Sequence, residues 1–226
     1  MTQFIHKQFP IDWDIKQQSI NGKRHYFTPE GSAYPSITTC LSVLSRKSIM
    51  EWRKRVGEEE ANKISTQAAR RGTKVHQMCE DYINNELDEK KFLPTDRETF
   101  RTIKPIIESS IDNVYAQEVG LYSDYLEVAG RVDCIAEWEG KISVIDFKTS
   151  RKPKKKEWIS SYFQQASAYA IMWEERTKIP INQLVILIAV DDNEPQVFIE
   201  RRDNWAKDLI NTIKQYKEEE KKNAIV

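Results

Sequence analysis

The chain has 226 residues, 39% hydrophobic and 31% charged, with 35 basic residues balancing 35 acidic ones. That composition suits one large domain with a buried core and excludes a disordered chain. Zero net charge argues against a passive nucleic-acid-coating protein, which carries a positive excess, but leaves room for an enzyme with a local basic groove beside an acidic site.

The segment Met1 to Trp13 mixes Lys7 with Asp12 and has no continuous apolar stretch. It is read as neither a secretory signal nor an Arg-rich presequence, although a presequence removed earlier stays open. Residues 22–28 form a short strand. Pro35-Ser36-Ile37-Thr38 turns into a helix, with Ser36 or Thr38 as N-cap. Residues 47–70 are helical and charge-rich, and a second helix runs from near Gly72 to about Asn85. A third covers about Thr95 to Val114, where Pro105 is expected to kink or split it. Residues 115–148 then read as three strands, YAQEVGLY, VAGRVDCIAEW and ISVIDFK, with Glu139-Gly140 as the hairpin turn between the last two. Helical periodicity returns over 157–176. The apolar, β-branched run 184–190 suits a buried central strand. Residues 196–201 are another strand, and a charged helix, 203–222, follows.

This order predicts an α/β or α+β domain: a mixed sheet flanked by helices, with an N-terminal helical subdomain. Residues 1–226 are read as a single domain, comprising a mostly helical, substrate-handling part (1–70) and a catalytic core (71–226). No apolar run approaches the roughly 20 residues needed to span a bilayer, so no membrane partner is expected. Cys40, Cys79 and Cys134 show no metal-ligand spacing. They fit buried thiols in a reducing compartment.

The segment GRVDCIAEWEGKISVIDFKTS, residues 130–150, carries the chemistry. A hairpin closing at Glu139-Gly140 brings Asp133 and Asp146 to the same end of the sheet. Lys148, two residues on, shares a sheet face with Asp146, while Phe147 points into a core. On an exposed strand, Asp-x-Lys would be a solvated ion pair. Val144 and Ile145 argue for a buried strand instead, where a lone charge is costly unless paired or metal-bound. Two carboxylates and a lysine are the minimum set for phosphodiester hydrolysis. Mg²⁺ or Mn²⁺ is held by carboxylates and activates water, and the lysine orients the nucleophile or stabilises developing charge.

Asp133 followed by Asp146-Phe147-Lys148 resembles the split motif of the PD-(D/E)XK nuclease superfamily. GTKVHQMCE, residues 72–80, is similar to the upstream helix of its RecB-like branch, in which His76 would add a metal ligand. QASAY, residues 165–169, resembles that branch's QxxxY helix. Together with Pro35-Ser36-Ile37-Thr38, Gly130-Arg131-Val132-Asp133 and Asp146 to Ser150, these motifs look most like the group that includes the mitochondrial genome maintenance exonuclease and related viral exonucleases.

The resemblance implies a restriction-endonuclease-like fold and a DNA exonuclease acting in replication, recombination or repair. Its site would have Asp133, Asp146 and Lys148 as catalytic residues. His76, Asp133, Asp146 and Glu118 would hold Mg²⁺ or Mn²⁺, Glu118 directly or through water. Gln165, Tyr169, Thr149, Ser150, Ser36 and Arg151 would meet substrate. No cysteine follows Cys134, so no iron–sulfur cluster is expected. The implied partners are single-stranded DNA ends, with single-strand-binding or replication proteins beside them, in a host cytoplasm or a mitochondrion.

Bland readings stand beside these. His76 and Tyr169 could be packing residues, and Glu80 a simple helix acid. The run from Arg151 to Lys156 is either a solvated loop or a DNA-backbone contact. Trp52, Arg53, Arg55, Arg70, Arg71 and Lys74 could track a single strand by charge and stacking. An endonuclease of the same superfamily, or an inactive DNA-binding subunit, remains the rival.

Overall fold

Residues buried on both faces form the middle of the sheet in the computed structural model, which describes residues 3–11 and 14–224. Of the segment read for a leader, residues 1–2 and 12–13 lie outside the described residues. The main sheet has six strands in the order β1(Ile5–His6), β5(Ile111–Ser123), β6(Val128–Trp138), β7(Lys141–Ser150), β8(Gln183–Val190) and β9(Gln196–Arg201). β1 joins β5 and β8 joins β7 in parallel, and the other pairs are antiparallel. This is the expected mixed sheet. A separate antiparallel sheet comprises β2(Lys16–Ile20), β3(Lys23–Phe27) and β4(Ala33–Pro35).

Helices cover both faces of the main sheet. On one, α3(Glu58–Ile83) and α4(Pro94–Ser110) pack Val75, Met78, Phe100 and Ile107 against Ile145, Phe147, Val185 and Leu187. On the other, α1(Ile37–Leu41), α5(Ser160–Thr177) and α6(Asp203–Ala224) pack Ile37, Phe163, Trp173 and Leu209 against Ile135, Val144, Leu184 and Ile186. Alternate residues of β7 and β8 thus serve opposite cores, as the two-residue strand period requires. At Glu139-Gly140 both residues have positive φ, 51° and 74°, which is the backbone of a two-residue hairpin turn.

Several boundaries differ from expectation. The helical break falls not at Gly72 but at Gly57 (φ 87°), between α2(Arg46–Val56) and α3. Gly72 costs a helix only about 1 kcal/mol relative to alanine, which α3's packing offsets. Residue 70 therefore lies within α3. Pro105 sits on the exposed face of α4 and does not split it. That helix stops at Ser110 rather than near Val114, because Asn113 and Val114 pair with β1. The chain before Ser36 is less helical than expected, since it forms β1 to β4.

Candidate functional site

β6 and β7 pair from Trp138↔Lys141 to Cys134↔Ile145, so Asp133 and Asp146 are the first residues past the last pair. Beyond that ladder the Phe147 N–H donates to Asp133 Oδ2 at 2.9 Å. On the adjoining strand, Glu118 lies between the pairs Gln117↔Cys134 and Val119↔Val132, which sets it beside Asp133. Its φ of 50° is uncommon for a side chain with a Cβ. Arg131 Nη1 holds this kink by donating to the Glu118 carbonyl at 2.6 Å.

His76 approaches from α3, and its Nε2 bonds the Phe147 carbonyl. A carbonyl only accepts, so Nε2 carries a proton, and in the neutral imidazole Nδ1 has the lone pair. Nδ1 lies 3.5 Å from Asp133 Oδ2. One ligand atom from each of His76, Glu118 and Asp133 falls within 4.8 Å of the others. One nitrogen and two oxygens suit a divalent cation such as Mg²⁺ or Mn²⁺. Burial, then the charges of Asp133 and Glu80, push the Glu118 carboxyl up to about 8. Carboxylates crowded in this way are a fit for a cation.

Asp146, expected among the metal ligands, lies outside that three-residue cluster. Only 1% exposed, its carboxylate faces the Lys148 ammonium, 2.5 Å from Oδ2. Neither Asp146 oxygen has a well-aligned hydrogen bond among the described residues. The lysine contact is a close ion pair on Oδ2, and the carboxylate keeps acceptor capacity on Oδ1 for a cation. Burial pushes Asp146 upward while Lys148 pulls it back. Desolvation works against the Lys148 ammonium, but Asp146 and Asp133 outweigh it and raise Lys148. The lysine is thus held cationic. Its Nζ also sits 5.3 Å from the centre of the Tyr162 ring.

A cleft of about 430 Å³ opens over the cluster. It is lined by His76, Glu118, Asp133, Lys148, Gln165, Tyr169 and Ser36, and also by Arg24, Tyr26, Thr38, Gly130 and Arg131. Tyr169 is buried beneath β6, where a Cβ on Gly130 would lie 2.8 Å from its Cε1, so only glycine allows this approach. Ser36 is the N-cap of α1, its hydroxyl accepting the Thr39 N–H at 3.0 Å and bonding the Thr38 and Thr39 hydroxyls.

Three residues expected to meet substrate do not line this cleft. Thr149 Oγ1 faces α3, 3.8 Å from where a Cβ on Gly72 would stand. The Ser150 hydroxyl donates to the Lys152 carbonyl at 2.7 Å and shapes the loop. Arg151 reaches Gln67 at 3.2 Å. The common cause is β7, which continues alongside β8 to Ser150↔Val190 and carries these residues past the opening. In the basic run beyond, Lys156 pairs with Glu200 and Lys155 lies over Trp158. Arg24, Tyr26, Tyr162 and Arg131 were not assigned roles from sequence. For Arg131 the signal was its place two residues before Asp133, on the same strand face.

Two curated relatives are named mitochondrial genome maintenance exonuclease 1. The Homo sapiens protein is 26% identical over 176 residues, 71% of this chain and 50% of that protein. The Xenopus tropicalis protein is 28% identical over 153 residues, 64% of this chain and 44% of that one. The chain thus spans about half the length of the curated relatives it matches. A solved structure of a Eubacterium rectale protein aligns at 15% identity over 64% of both chains, with a TM-score of 0.45. The PD-(D/E)XK nuclease superfamily model matches residues 52–224, a stretch that contains His76, Glu118, Asp133, Asp146 and Lys148. By that match, over most of its length, the chain belongs to the PD-(D/E)XK nuclease superfamily.

Proposed function

We propose that the protein is a Mg²⁺- or Mn²⁺-dependent DNA exonuclease that takes single-stranded ends. The observation that carries this reading is the meeting of His76, Glu118 and Asp133 ligand atoms beside the Asp146–Lys148 pair. His76, Glu118 and Asp133 would hold the cation, with Asp146 turning its free acceptor capacity toward it. The cation, when bound, would neutralise phosphate charge and acidify water. Lys148, kept cationic by its carboxylate neighbours, would hold the attacking water or stabilise charge developing on the phosphate. Gln165 and Tyr169 would set the wall against which the strand lies.

The cleft, about 430 Å³, has room for one nucleotide over the cluster. The family and the names of the two relatives support nuclease chemistry on DNA, and by extension a role in replication, recombination or repair. Three buried free cysteines support work in a reducing compartment, a mitochondrion or a host cytoplasm. Among the described residues, no helix is long and apolar enough to cross a membrane. Residues 1–70 are proposed to handle substrate, with the small sheet and α2 beside the catalytic part.

The test is digestion of end-labelled linear and circular single-stranded DNA and RNA with Mg²⁺, Mn²⁺ or chelator. Metal-dependent loss of linear DNA alone is expected. Cleavage of circles would make the protein an endonuclease, preference for RNA would change the substrate, and turnover in chelator would overturn the metal mechanism.

A further inference from the structure

We infer that Arg24, on the small N-terminal sheet, binds a phosphate of the substrate strand that flanks the one being cleaved. This inference rests on the nuclease reading of the cleft. Three cations line that cleft: Lys148, Arg131 and Arg24. Lys148 is committed to Asp146, and Arg131 to the Glu118 carbonyl. Arg24 is exposed, and among the described residues its guanidinium has neither an ion pair nor a hydrogen bond. A free planar donor fork beside an acidic metal cluster is suited to a phosphodiester, which it can grip through two oxygens.

The position of Arg24 is fixed relative to the cluster. Its carbonyl accepts the Ser36 N–H at 2.8 Å. Ser36 in turn forms a parallel bridge with Ala129, on the strand that carries Asp133. Ala129 and Asp133 are four steps apart on β6, roughly 13 Å at about 3.3 Å per residue. The Arg24 backbone is thus offset from Asp133 along β6 while the residue lines the same cleft, a separation that suits a phosphate next to the reacting one. Strand pairing to Ser19 and the backbone tie to Ser36 both hold the β3 backbone, so little ordering cost remains except in the side chain itself.

The experiment compares wild type with Arg24→Gln and Arg24→Lys, using a fluorescein-labelled single-stranded oligothymidylate. Affinity is measured in chelator across a salt series, and turnover with Mn²⁺. Arg24→Gln should raise KM and Kd about tenfold, as loss of one charge-assisted contact would, with kcat within about twofold. Its log Kd against log salt slope should flatten by about 0.7, the contribution of one single-strand phosphate. Arg24→Lys should keep the wild-type slope with an intermediate Kd, since it retains charge but not the fork. An unchanged slope in Arg24→Gln, or a flattened one in Arg24→Lys, would overturn the inference. Binding that follows these expectations, with no metal-dependent turnover by wild type, would keep Arg24 as a contact to a strand phosphate and sink the nuclease reading, and with it the flanking position. An exposed side chain can be exchanged without unfolding the sheet, and matching melting curves establish that for both variants.

Discussion

Asp133 Oδ2 accepts the backbone N–H of Phe147 across the gap where β6 and β7 part. One carboxylate thereby closes the end of a strand ladder and stands in the candidate metal cluster. The two jobs can be separated by substitution. Asp133→Asn keeps an oxygen for the Phe147 N–H but gives up the charge a cation needs. It should fold with a near-normal melting temperature and lose cleavage by about 10²-fold or more. Asp133→Ala, which orphans that N–H, should in addition lose about 1–3 kcal/mol of stability. Denaturant unfolding and single-turnover cleavage check both, and an active, stable Asp133→Ala would remove the residue from each role.

The Asp146–Lys148 pair calls for a second prediction. Asp146 is buried and Lys148 nearly so, with side-chain exposures of 2% and 20%. Asp146→Asn removes the nearest counter-charge and leaves the ammonium with Asp133 alone, so the loss should stay below the roughly 3–5 kcal/mol typical of a fully orphaned buried charge. The single variant should therefore melt lower as well as lose turnover. Asp146→Leu combined with Lys148→Met removes both charges, and apolar replacement of a buried pair is often neutral or better. The double variant should regain stability while staying inactive. If it melts as low as Asp146→Asn, the unpaired ammonium is not the cause.

Much of this site was legible in sequence because β7 and β8 are buried on both faces, and burial writes continuous apolar runs. Glu139-Gly140 likewise announced the turn that sets Asp133 opposite Asp146. Other parts left weaker traces. β2, KQQSI, exposes four of its five residues, so no alternation marked it, and only the Asn21-Gly22 turn hinted at the hairpin. Gly72 reads as a helix breaker, yet α3 runs through it on the strength of contacts made elsewhere. Arg24 could not be placed beside Asp133 without the Ser36–Ala129 bridge, which joins positions 93 residues apart, from 36 to 129. Thr149, Ser150 and Arg151 follow the motif in sequence but do not line the cleft.

Gly130 supplies a third prediction. An added Cβ would stand 2.8 Å and 2.9 Å from Tyr169 Cε1 and its hydroxyl, and 3.2 Å from Ile37 Cγ2. Tyr169 is fully buried and cannot swing clear. Gly130→Ala should cost about 1–3 kcal/mol, as overpacking does, and should lower turnover by displacing the tyrosine. Tyr169→Leu in the same chain should recover part of the stability by vacating the space. Thermal melts decide it, and an Ala variant as stable as wild type would mean that the strand shifts freely.

A fourth prediction concerns pH in the presence of chelator. Burial and the charge of Asp133 raise the Glu118 carboxyl from its ordinary 4.5 to about 8. Between those values the folded protein keeps a proton that the unfolded chain has released. Unfolding then releases a proton, so stability should fall as pH rises through that window. Glu118→Gln has no proton to lose and should show a shallower decline. Melting temperatures taken between about pH 5 and 8 test this, and equal slopes for the two proteins would show that Glu118 titrates normally.

His76 links α3 to the end of β7, and its role there can be read from metal titrations. With Nε2–H bound to the Phe147 carbonyl, Nδ1 is the nitrogen left to face Asp133 and Glu118. A second bond that fixes the ring and its tautomer is the usual support for a ligating imidazole. His76→Ala should therefore weaken metal affinity by about tenfold or more. The loss should be larger for Mn²⁺ than for Mg²⁺, because Mn²⁺ accepts nitrogen more readily and Mg²⁺ prefers oxygen. A purely structural histidine would behave otherwise: its removal would lower stability in chelator and weaken both ions equally. Calorimetric titration of both metals into wild type and His76→Ala, with melts in chelator beside them, separates the two. Equal loss for Mg²⁺ and Mn²⁺ would leave the imidazole as a strut between helix and strand, and the cation to the carboxylates.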